Sequence, residues 1–110
     1  MKSGIALAVL AAAAALEAGG DAVVRRGLHH AGPARWAIMV AGGFVLFSYG
    51  ITVNLPPWDF GRLLGVYVTL FFLVAQAINF FAFGIRPGLS ILVGGALILA
   101  GGLTITFWQR

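Results

Sequence analysis

Residues 89–107 read LSILVGGALILAGGLTITF, an unbroken apolar run that closes on Trp108, Gln109 and Arg110. At 1.5 Å of rise per residue, about 20 such residues cross the hydrocarbon core of a bilayer. The run is continuous and does not alternate, so it reads as a membrane helix and not as a barrel strand. Working back toward the N-terminus, the pattern recurs three times. Gly84-Ile85-Arg86-Pro87-Gly88 is a tight turn. Ahead of it lies a run over 60–83 with Arg62 near its start. Pro56-Pro57 ends a run over 36–55, and Trp58 and Asp59 mark an interface. Gly27 to Arg35 is a polar connector broken by Gly32 and Pro33, and before it comes a run over 3–24. The expected fold is an all-α integral membrane protein, with one four-helix transmembrane domain over 1–110 and approximate spans 3–24, 36–55, 60–83 and 89–107. Four strands could not close a barrel, and only helices or closed barrels span lipid. Trp36, Trp58 and Trp108 fall at run ends, where an aromatic belt places them.

Composition agrees. Of 110 residues, 61 % are hydrophobic and 9 % charged, and mean hydropathy is +1.01. Soluble domains run near 25 % charged, and a small one cannot hide so much apolar surface. The absence of cysteine excludes disulfides, thiolate metal sites and cysteine nucleophiles. The net charge of +4 comes from side chains at run ends and not from a basic run, which argues for headgroup contact and against nucleic acid. There is no nucleophile–base pair, no phosphate loop and no metal-ligand spacing. His29 and His30 read as interfacial. No enzyme activity and no cofactor are expected. Lys2, the apolar stretch after it and Ala11–Ala15 also suit a secretory signal peptide, but the internal carboxylate and the length of the run favour a span.

Four spans put both termini on one side. That side carries Lys2, Arg62 and Arg110, and the other carries Arg25, Arg26, Arg35 and Arg86. Four against three barely fixes orientation. Two arrangements stay open: insertion both ways with an antiparallel homodimer, or one topology with the Arg25/Arg26 side in the cytoplasm.

Glu17 is the most informative residue. It lies about 20 Å into the first run. A carboxylate there costs a few kcal/mol on insertion scales, so such residues line a cavity or find a partner. Either a proton or a cation neutralises it, and that competition suffices to exchange one for the other. Glu17, Asp21 and Arg25 are also spaced i, i+4, i+8, so an ion-paired ladder on one helix face is the rival reading. Small neighbours at Gly20, Ala13 and Ala14 favour a cavity beside the acid over a packed core. Gln76 and Asn79 are expected to hydrogen-bond between helices; Ser48, Tyr49 and Tyr67 are weaker signals of the same kind. In the last run Gly94 and Gly101 are seven apart, as are Gly95 and Gly102, and Ala96 and Ala100 form a small-xxx-small pair. Such stripes let backbones approach closely, between subunits or within one.

Together these features resemble the small multidrug resistance superfamily of four-helix transporters, most nearly its YnfA-type branch. Leu16-Glu17-Ala18-Gly19-Gly20 looks like the family's signature acid with a glycine three residues on. Arg25 stands where the family tends to have a basic residue. Gly61-Arg62 followed by Tyr67 resembles the start of its third helix, and Gly84-Ile85-Arg86-Pro87 its loop before the fourth. Gly94, Leu97, Ile98 and Gly101 match the spacing of its dimerisation motif. The resemblance implies a proton-coupled efflux antiporter for a small organic cation or drug. It further implies a homodimer, commonly antiparallel, in a bacterial inner membrane. Glu17, Tyr67, Gly20 and Asp21 would form the substrate and proton site, and Gly94, Leu97, Ile98 and Gly101 the dimer contact. The sequence departs from the pattern at Leu64, where the family has a tyrosine, at Val68 and Thr69, where small residues are usual, and at Asp21, an added acid. An aromatic box for flat cations is therefore less well supplied. The alternative is a non-transporting structural or accessory membrane subunit.

Overall fold

Each apolar run becomes one helix. The computed structural model describes residues 2–108; Arg110, counted above in the charge balance, lies outside the described residues. The helices are α1 (Ser3–Leu28), α2 (Ala34–Val53), α3 (Phe60–Phe81) and α4 (Leu89–Phe107). All four are long and apolar enough to cross a membrane, and no strand occurs among the described residues. The protein is a multi-pass, all-α membrane protein.

The ends follow local chemistry. α1 continues past its expected end at 24 and carries Arg25 and Arg26 in its last turn, where positive charge suits the helix dipole. Gly27 then packs against Met39 at the start of α2, which shortens the connector. Asp59 caps α3: its Oδ1 accepts from the Arg62 amide at 3.0 Å. Gly84 closes α3 in the left-handed region, with φ +67. The Gly84 amide donates to Phe80 O and the Ile85 amide to Asn79 O, both at 3.1 Å, the pattern of a glycine-terminated helix.

Two arginines bind helix ends across the fold. Arg62 donates to Ile105 O at 3.0 Å and to Thr106 O at 3.2 Å, closing the last turn of α4. Arg26 donates to Ala82 O at 3.4 Å at the end of α3. Last-turn carbonyls have no partner in their own helix, and a guanidinium satisfies both their lone pairs and the dipole.

α1 packs along α2 and against α3, and α4 packs on α3 at the edge. Small residues set these approaches. Ala6, Ala13, Gly20 and Gly27 recur every seven positions and are all buried. A Cβ at Gly20 would stand 3.3 Å from Gly42 O, and one at Gly42 would stand 3.1 Å from Gly20 O. The α1 and α2 backbones thus meet at paired glycines, as small residues permit in lipid. Between α3 and α4, Gly65 takes Ile105, Gly102 takes Thr69 and Gly95 takes Phe72. The fold is flat, 54 × 34 × 18 Å. Its core is small: Leu10, Ala13 and Ala14 of α1 with Val53 of α2 and Leu63, Val66 and Tyr67 of α3. Side chains such as Phe44, Phe47, Leu89 and Leu97 point outward, toward lipid or another chain.

Candidate functional site

Glu17 sits half-buried midway along α1 on the side that meets α3. Tyr67, two turns into α3, is only 4 % exposed. Its hydroxyl donates to Glu17 Oε1 at 2.6 Å and also reaches Ala13 O at 3.4 Å. The hydrogen bond of Glu17 therefore crosses to another helix instead of running along α1. Tyr67 stands in a file of aromatic rings. Tyr49 of α2 lies 5.7 Å away, centroid to centroid, and Phe71, one turn along α3, lies 6.0 Å away. Three helices thus contribute to the surroundings of one carboxylate, α2 by way of the ring stacked beside the phenol.

The small residues around Glu17 serve a different end from the cavity expected of them. Ala13 and Ala14 are fully buried in the core, and Gly20 is pressed against Gly42. Their small volume is spent on close helix approach, so this flank of Glu17 is packed. Open space lies one turn further on. A cleft of about 320 Å³ runs between α1 and α3, lined by Ala18, Asp21, Arg25, Phe71, Gln76 and Asn79 among others. Gln76 and Asn79, expected to bond between helices, face this cleft. Asp21 is exposed there.

The two glycine stripes of α4 divide between two faces. Gly95 and Gly102 are buried against α3. Among the described residues, a Cβ at Gly94 or Gly101 would meet nothing within 4 Å beyond its own helix backbone, and Leu97 is 71 % exposed. Ile98 is half-buried. Thr69, noted as a departure from small residues, is the side chain that Gly102 accommodates.

One contributor escaped the sequence reading, and Tyr49 was read there only as a weaker signal of hydrogen bonding between helices. Gly42 becomes meaningful only when its register against Gly20 is known.

The chain is similar to a UPF0060 membrane protein of Herpetosiphon aurantiacus, 33 % identical over 73 residues. The match covers 64 % of this chain and 66 % of that relative, just under two thirds of its length. No family model matches the chain, and no solved structure matches it.

Proposed function

We propose that the protein is a proton-coupled antiporter of the small multidrug resistance type in a bacterial inner membrane, and that Glu17 exchanges protons for a small organic cation. The observation that carries this reading is the Tyr67–Glu17 hydrogen bond at 2.6 Å between two membrane helices. An intramembrane carboxylate that only bridged lipid and headgroup would have no need of a buried phenol from another span. Here the phenol holds one oxygen in place, and exchange at a fixed carboxylate needs that positioning. Tyr49 and Phe71 supply aromatic surface beside it, which suits an organic cation. Enzymatic chemistry has no part in this reading.

The functional unit is a homodimer joined through the outer face of α4, with Gly94, Leu97 and Gly101 at its centre. Two copies of Glu17 would serve one transport path, and near-equal charge on the two sides fits insertion in either orientation. Alternation of access then comes from rocking one subunit against an inverted second copy, the logic by which inverted repeats work in other transporters.

The test is solid-supported-membrane electrophysiology on reconstituted protein with guanidinium, quaternary ammonium and polyamine cations. Wild type is expected to give proton-dependent currents that Glu17→Gln abolishes while remaining inserted. Normal transport by Glu17→Gln would exclude the mechanism. Silence from folded wild type across the panel would favour a non-transporting accessory subunit.

A further inference from the structure

The cleft between α1 and α3 carries charges of both signs, Asp21 and Arg25. Asp21 and Arg25 share one face of α1, four residues or about 6 Å apart. That spacing permits an ion pair within the helix, yet none shorter than 4.0 Å forms between them among the described residues. Both side chains line the cleft, together with the amides of Gln76 and Asn79 from α3. Phe71 also lines it, its ring 6.0 Å from that of Tyr67, centroid to centroid. At about 320 Å³ the cleft lies at the small end of the range for small-molecule sites.

We propose that this cleft binds a small zwitterion, with its ammonium on Asp21 and its anionic oxygens on Arg25. A carboxylate takes an ammonium, and a guanidinium takes carboxylate or phosphate oxygens in a two-pronged contact. The amides of Gln76 and Asn79 offer both donors and acceptors to the spacer between them. A simple cation would satisfy Asp21 and be repelled by Arg25. A simple anion would meet the reverse, so only a ligand with both charges uses the whole cleft. The order along α1 fixes its orientation. Arg25 is on the outer turn, next to Arg26, which binds the end of α3. Asp21 is one turn nearer Glu17. The ammonium therefore points into the membrane and the anionic end toward the headgroups. An aminoalkyl phosphate or amino acid has this chemistry, as does the headgroup of phosphatidylethanolamine.

The experiment is calorimetric titration of the full chain in phosphatidylglycerol nanodiscs with 2-aminoethyl phosphate, ethanolamine and inorganic phosphate. Wild type is expected to bind 2-aminoethyl phosphate at least about tenfold tighter than either fragment, the equivalent of about 1.4 kcal/mol. Asp21→Asn should erase the advantage over phosphate, and Arg25→Gln the advantage over ethanolamine. Helical circular dichroism and a monodisperse elution profile report that each variant is folded. Replacing half the lipid with phosphatidylethanolamine separates the two sources. Loss of the titration would assign the cleft to the lipid headgroup, and an unchanged titration to the free zwitterion. Wild type that binds ethanolamine as tightly as 2-aminoethyl phosphate would overturn the proposal. So would folded variants that bind like wild type, or no saturable binding of any of the three probes in either lipid.

Discussion

The Tyr67 hydroxyl lies 2.6 Å from Glu17 Oε1, joining α1 to α3 through one short hydrogen bond in the membrane. A hydrogen bond to a charged group contributes about 1.5–3 kcal/mol. Tyr67→Phe keeps the ring and its stacking on Tyr49 and Phe71 and removes only the donor. Under the antiporter reading, the carboxylate is then held less firmly in place for a cation. The half-saturating cation concentration at fixed pH should rise about tenfold, read from currents on supported membranes. An unchanged half-saturation would mean that the contact only braces α1 against α3.

Gly42 and Gly43 are neighbours with opposite surroundings. A methyl at Gly42 would stand 2.6 Å from Val24 Cγ2 and 3.1 Å from Gly20 O, whereas one at Gly43 meets nothing within 4 Å. Overpacking a close contact costs about 1–3 kcal/mol. Gly42→Ala should lower the thermal unfolding midpoint in detergent, and Gly43→Ala should leave it unchanged or raise it slightly, because alanine is the better helix former. Equal effects would remove the paired-glycine contact as the determinant of α1–α2 spacing.

These pairs show what a one-dimensional reading reaches. Hydropathy alone delivers the spans, because lipid demands long apolar helices wherever they pack. Glu17 stands out for the same reason: its cost depends on depth, which can be counted along the chain. The meaning of a small residue cannot be counted that way. Gly20 next to an acid reads equally well as empty space or as a helix contact, and the choice depends on whether another helix presents a glycine at the same height. Gly42 does so, and the flank is packed. Tyr67 and Tyr49 likewise become neighbours only through the register of α2 against α3. Arg62 looked like a topology charge, and its hydrogen bonds to the end of α4 require the fold.

That role of Arg62 is open to test. It donates at 3.0 and 3.2 Å to Ile105 O and Thr106 O, and it lies 5.4 Å over the Trp58 ring. Arg62→Gln removes the charge at the helix end, worth about 0.3–1 kcal/mol at exposed sites, together with hydrogen bonds to frayed carbonyls. Amide hydrogen exchange should quicken in the last turn of α4, at Thr104 to Phe107, and stay unchanged at the α1–α2 contact. Arg86→Gln, in the exposed turn, serves as the comparison and should leave α4 as it was. If both variants exchange alike, α4 ends without help from Arg62.

Under the proposed homodimer, the stripes of α4 allow folding and dimerisation to be perturbed separately. Gly102 faces inward: a Cβ there would overlap the Thr69 side chain, whose Oγ1 is already buried with no hydrogen-bond partner among the described residues. Gly102→Ala should therefore cost about 1–3 kcal/mol of monomer stability. Thr69→Ala vacates the contested space, so the double variant should recover much of that loss, which marks a direct contact. A Cβ at Gly101, one position earlier, would meet nothing within 4 Å beyond its own helix backbone among the described residues. Gly101→Leu should leave the unfolding midpoint alone and lower the dimer fraction in lipid nanodiscs, measured by cross-linking at α4. If Gly101→Leu stays dimeric, subunits meet through another face, and the exposed Leu97 is covered by lipid. If Gly102→Ala instead lowers dimer content with monomer stability intact, the inner stripe would be the one that meets the partner, and α4 would have to leave α3 to do so.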